Sequence, residues 1–139
     1  MKKHLLLIIS LITVLSFTSI VYADNKSLEK ATESDCNLTI NNICRAIINS
    51  NSEALLENTD YFENTAYKSV YDYINTNKIE GTCSNIVINT TYPNNSSTGD
   101  FVIMANCKVN VQQGYNLVYL FEFHVNKDGK IYGFNAWVY

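Results

Sequence analysis

Clustered basic residues are missing from this chain. Ten Lys and Arg stand against thirteen Asp and Glu, and no run of like charge gathers the basic ones. Phosphate contacts need grouped Lys or Arg, so neither nucleic acid nor an anionic membrane surface is an expected partner. Histidine is nearly absent too. Of the two, His4 falls in an apparent leader and only His124 remains beyond it. No Cys-x-x-Cys motif occurs, so a metal centre or a dithiol redox site is not indicated, and no cofactor is expected. Beyond the N-terminal apolar run, no segment approaches the ~20 residues that span a bilayer. Low-complexity linkers and internal repeats are also lacking.

The N-terminus carries the clearest signal. Lys2 and Lys3 precede an apolar run from Leu5 to Phe17, and Val21-Tyr22-Ala23 forms a small-x-small pattern before Asp24. These are the three parts of a secretory signal peptide over residues 1–23, with cleavage after Ala23. An uncleaved membrane anchor is the alternative. A lipid anchor is not indicated, because no cysteine stands at the cleavage position. The protein is therefore expected to be secreted or periplasmic, with no membrane attachment once the leader is removed. What remains is about 116 residues, long enough for one domain with a real core. Its eight basic and thirteen acidic groups give a net charge of −5.

Residues 24–38 are polar, with Leu28 the only bulky apolar side chain, and read as a lead-in to a single α+β domain over 39–139. Ile40, Ile43, Cys44, Ile47 and Ile48 recur at the spacing of one helical face. Thr39 or Ser34 is the expected N-cap of that helix. Asn49-Ser50-Asn51 ends it, and Ser52 is expected to cap a short helix over 53–57. A second main helix is predicted from Asp60 to about Asn77, striped by Phe62, Ala66, Val70, Tyr73 and Ile74. A strand over 83–92 and a turn-rich loop over 93–100 follow.

Residues 101–139 read as a three-stranded antiparallel meander. Asp128-Gly129 predicts a two-residue type I′ turn with positive φ at both positions. That turn places Val125 opposite Tyr132, Phe123 opposite Phe134, Phe121 opposite Ala136 and Tyr119 opposite Val138, all on one side. For the earlier hairpin, a three-residue loop with Gly114 in the left-handed conformation aligns Val109 with Leu117, Cys107 with Tyr119, Ala105 with Phe121 and Ile103 with Phe123. Only this register keeps one face apolar throughout. The other face is mixed: Val102, Met104, Asn106, Lys108, Val118, Leu120, Glu122, His124, Ile131, Asn135 and Trp137. The expected architecture is thus two main N-terminal helices packed on one face of a four-stranded antiparallel sheet.

Four cysteines in an exported chain suggest two disulfides. Cys44 lies on the helical stripe and Cys107 on the apolar sheet face, which favours Cys44–Cys107 with Cys36–Cys83. The alternative, Cys36–Cys44 with Cys83–Cys107, requires Cys36 to precede the helix. A register placing Cys83 opposite Cys107 is disfavoured, because it turns Ile86 and Ile88 out of the core.

Candidate chemistry gathers on the mixed face. Glu122 and His124 lie two apart on one strand and so share a side, as an acid/base pair would. No nucleophile can be placed beside them, and no residue is assigned a catalytic role. Trp137, Leu120, Val118, Met104 and Ile131 are expected to form a contiguous apolar patch beside them, the usual mark of a contact surface. The Tyr-rich second helix suits a ligand pocket or ordinary core packing.

The run Phe123-His124-Val125-Asn126-Lys127-Asp128-Gly129-Lys130-Ile131-Tyr132-Gly133-Phe134, preceded by helix, short helix and helix, resembles the nuclear-transport-factor-two-like superfamily of cone-shaped α+β domains, and in particular its small secreted bacterial members. The resemblance covers residues 39–139 and is most specific over 121–137. It implies a pocket between helices and sheet and dimerisation through the outer sheet face. Enzymatic members use a pocket Asp or His with Tyr, whereas His124 here is placed on the outer face. A weaker resemblance is to cystatin-like inhibitors, whose hairpin carries Gln-x-Val-x-Gly. The stretch Asn110-Val111-Gln112-Gln113-Gly114 departs from that pattern at the Gln and the Val. The leading expectation is a binding or interaction module for an unknown protein or small molecule, with a homodimer through the sheet face as one form. A small pocket enzyme of isomerase or hydrolase type, or an inhibitor of an extracellular enzyme, is the alternative.

Overall fold

The computed structural model describes residues 27–28, 33–91, 98–112 and 114–139. The expected signal segment 1–23 and most of the expected 93–100 loop lie outside the described residues. The elements are α1 (Glu33–Ile48), α2 (Ser52–Leu56), a 3-10 turn (Thr59–Tyr61), α3 (Asn64–Thr76), β1 (Thr82–Thr91), β2 (Phe101–Asn110), β3 (Asn116–Val125) and β4 (Ile131–Val138). The four strands form one open antiparallel sheet in the order β1-β2-β3-β4, so the chain is α+β.

The predicted stripe of α1 is its buried face: Ile40, Ile43, Cys44, Ile47 and Ile48 are sealed from solvent. Neither Thr39 nor Ser34 caps it, since the helix starts at Glu33 and both lie inside. At its other end Asn51 N donates to Ala46 O (2.9 Å) and Ser50 N to Ile47 O (3.1 Å). That is a Schellman closure, and Ser50 occupies its left-handed position at φ 52°. Asn51 then serves the next helix: its Oδ1 accepts from Ala54 N at 3.1 Å. The cap of α2 is therefore Asn51 and not Ser52. One asparagine closes α1 and opens α2.

The second main helix starts later than Asp60. Phe62 forms a parallel bridge with Ile131, and Glu63 N donates to Ile131 O at 2.8 Å. These bonds draw two residues into extended backbone and delay α3 to Asn64. Ala66, Val70 and Ile74 are buried as expected, and the Tyr73 ring meets Phe134 (5.5 Å) and Phe121 (6.3 Å) edge-on.

All ten β2–β3 pairs follow the expected register, with Val109 opposite Leu117 and Ile103 opposite Phe123. Gly114 has φ +83°, and Val111 N bonds Tyr115 O across a three-residue loop. The β3–β4 register is also as expected from Tyr119–Val138 to Phe123–Phe134. Its turn is not. Only Gly129 has positive φ (72°), so the loop has three residues, closed by Asn126 N to Lys130 O at 2.9 Å. Asn126 Oδ1 accepts from the backbone N–H of Asp128 and of Lys130, both at 3.0 Å, and this holds the wider turn. A bulge at Tyr132 then restores the register. As a result Ile131, expected on the outer face, faces Val125 in the core, and Tyr132 points outward.

A second bulge reconciles β1. Cys83 pairs with Val109 and Asn85 with Lys108, leaving Ser84 as the extra residue, its Oγ donating to Lys108 O at 3.1 Å. Cys83, Ile86 and Ile88 therefore all join the core cluster. Gly81 at the strand entry has φ +141°, and a Cβ there would stand 2.6 Å from Asn110 O, so only glycine fits. The core unites α1, α2 and α3 with alternate residues of β2 and β3. Leu28 joins it as well. Its N–H donates to Gly129 O at 3.0 Å, and Ser27 Oγ donates to Asp128 O.

Candidate interaction surface

The side chains left over by the core alternation define a second face. Its rungs run Val87–Asn106–Leu120–Trp137, Asn89–Met104–Glu122–Asn135 and Thr91–Val102–His124–Gly133, with Lys108 beside Val118. The structure brings all six residues singled out from sequence together: Leu120 faces Trp137, Met104 faces Glu122, and His124 and Val118 lie two positions to either side on β3. Trp137 is 42% exposed and Val87 47%, while Val118, Leu120, Met104, Glu122 and His124 are half-buried.

The polar centre of this face is ordered. His124 Nε2 donates to Glu122 Oε1 at 2.6 Å, and Asn135 Nδ2 donates to the same oxygen at 3.0 Å. The Asn135 hydrogen bond above all, with help from His124, holds the Glu122 carboxyl below the usual carboxylate range against the opposing effect of burial. Gly133 stands opposite His124, where a Cβ would come within 3.2 Å of the histidine Cβ. The bulge at Tyr132 sets that ring 5.9 Å from the imidazole. Tyr132 and Asn135 are thus members of the site, and Tyr132 is one that the expected register hid. Its signal was present: Lys127-Asp128-Gly129 has the same x-x-Gly form as Gln112-Gln113-Gly114, and three-residue loops with a left-handed third position suit both.

Chemically the face offers a fixed carboxylate, an imidazole and aromatic edges within an apolar surround. Among the described residues, no serine or cysteine is hydrogen-bonded to His124.

Two grooves lie elsewhere, flanking α1. One, of about 450 Å³, runs between α1 and α2 past Asn42, Arg45, Asn49, Asn58 and Tyr61. The other, of about 380 Å³, lies between α1 and β1 beside Asn37, Asn41, Ile86 and Ile88. Leu38, 61% exposed, borders both. The first sits among helices and the second between helix and sheet. Among the described residues, no helix is long and apolar enough to cross a membrane, and no three His, Cys, Asp or Glu side chains converge as a metal site. No family model, curated protein or solved structure matches the chain.

Proposed function

We propose that this chain is a small exported binding module of the cone-shaped α+β type, with its two long helices laid over one face of the sheet and a protein partner engaged by the other. The helical cover is supported by the ring contacts of Tyr73 and by the sealed alternate residues of β2 and β3. The observation that carries the binding reading is the rung Val87–Asn106–Leu120–Trp137, flanked by the fixed Glu122–His124–Asn135 group. Interfaces favour this composition: aromatic and Met anchors, few mobile charges and ordered hydrogen-bonding groups.

The partner to test first is a second copy of the chain, since a sheet face can stack on itself about a two-fold axis. Light scattering across a concentration series should show a dimer. Leu120→Asp and Trp137→Asp should each weaken it by at least about tenfold, or ~1.4 kcal/mol. A single monomeric mass at every concentration, unchanged by both substitutions, overturns the self-association reading.

A further inference from the structure

Three cysteines from three elements face the same core: two are sealed in it and one stands at its margin. Cys44, near the C-terminal end of α1, and Cys107, on the core face of β2, are both fully buried in one core cluster, and burial first, then the neighbouring Cys107 thiol, raises the Cys44 thiol. Cys83 reaches the same side of the sheet through the Ser84 bulge. It pairs with Val109 and so stands one diagonal step from Cys107. Unlike the other two it is only half-buried; its Sγ donates to Asn85 O at 3.8 Å, and the Arg45 guanidinium lies close by. Cys36 is part of the same continuous helix as Cys44, eight residues away. That is about 12 Å along the axis, beyond the ~7 Å between Cα atoms that a disulfide tolerates. The helix thus removes Cys36–Cys44. All four cysteines stand as free thiols in this structure, and the groups that bear electrostatically on Cys83 include Cys107 and Arg45.

We propose that Cys44 and Cys107 are joined as a disulfide that ties α1 to β2, and that Cys83 is the relay thiol through which an external disulfide oxidant reaches this sealed pair. With glutathione disulfide as oxidant, the Cys83 thiolate attacks one glutathione sulfur and expels the first glutathione thiolate. Cys107, deprotonated, attacks Cys83 Sγ of the mixed disulfide and expels the second. Cys44, deprotonated, then attacks Cys107 Sγ and breaks the Cys83–Cys107 bond, and Cys83 recovers its proton. Cys44 and Cys107 together lose two electrons and two protons, and two glutathione thiols are formed. Diagonal neighbours in a sheet sit about 7–8 Å apart, at or past the ~7 Å that a disulfide tolerates, so Cys83–Cys107 forms only with a local shift of β1 at the Ser84 bulge and is the transient bond, and Cys44–Cys107 is the final one.

The test is timed oxidation of the full chain with glutathione disulfide, followed by acid quench and non-reducing peptide mapping. In a Cys36→Ser background the tryptic peptide 31–45 carries Cys44 alone, and cleavage at Met104 separates Cys83 from Cys107. The expected product links the Cys44 and Cys107 peptides and leaves Cys83 open to alkylation. Adding Cys83→Ser should yield the same bond on the order of tenfold more slowly. A stable Cys83–Cys107 end product, or full alkylation of Cys44 and Cys107 after oxidation and denaturation, overturns the bridge. Formation at an undiminished rate in Cys83→Ser overturns the relay. Both variants keep the buried pair, so neither readout depends on a destabilised core.

Discussion

The two faces of β3 differ by one residue step and by almost everything else. Phe121 and Phe123 are sealed, while Leu120, Glu122 and His124, interleaved with them, stay half-open. The backbone, its hydrogen bonds and its twist are common to both sets, so the contrast belongs to the side chains and to what lies opposite. A strand can therefore carry folding energy on one side and a recognition surface on the other, with neither set compromising the other.

The largest test of that contrast is Phe121→Ala. Removing a sealed aromatic ring should cost about 3–5 kcal/mol in urea denaturation. Leu120→Asp, next to it, should cost far less, about 1 kcal/mol, because its side chain is only half-buried, while weakening the proposed self-association at least about tenfold. Equal losses of stability from both would erase the distinction between the faces. A smaller effect is expected at Gly133. Gly133→Ala crowds the His124 Cβ and should cost no more than ~1 kcal/mol while shifting the His124 ring resonances. Ser50→Gly, in the helix corner, should raise stability by about 0.5–1 kcal/mol by relieving a left-handed serine.

Acid gives the finest test. The Glu122 carboxyl is held low in the folded chain, so its contribution is present above the unfolded value of about 4.3 and is lost as pH falls through the lower folded value. Denaturation at pH 5 and pH 3 should show a slightly larger acid loss in the parent than in Glu122→Gln. Cys83 titrates in the other sense. Burial and then Cys107 raise its thiol, with Arg45 and the Asn85 backbone opposing, and Cys44 lies alongside. Relay through its thiolate should therefore accelerate from pH 7 to pH 9, as followed by the same peptide mapping.

Much of this was legible because faces are encoded with period two. Gly114 and the demand for one apolar side fixed every β2–β3 pair, and the 3.6-residue stripe located α1. The six outer-face residues followed from the same alternation. Several departures depend on a partner distant in sequence. Phe62 and Glu63 look helical until Ile131 binds their backbone. The Ser84 bulge is held by Lys108 O, and it dissolves the apparent conflict between an inward Cys83 and an inward Ile86. The wide turn at 127–129 rests on Asn126, whose amide also donates to Glu63 Oε1 at 2.7 Å. Local pattern reports which side a residue takes, but not where the chain gains one extra residue to keep taking it.

The latch between Ser27-Leu28 and the last hairpin spans 101 positions from Ser27 to Asp128. It clasps the head of the chain to its tail, so the final hairpin cannot peel away without drawing Leu28 out of the interior. A cut after Leu28 would unfasten it, and that sets how closely a protease or an appended tag may approach from the front.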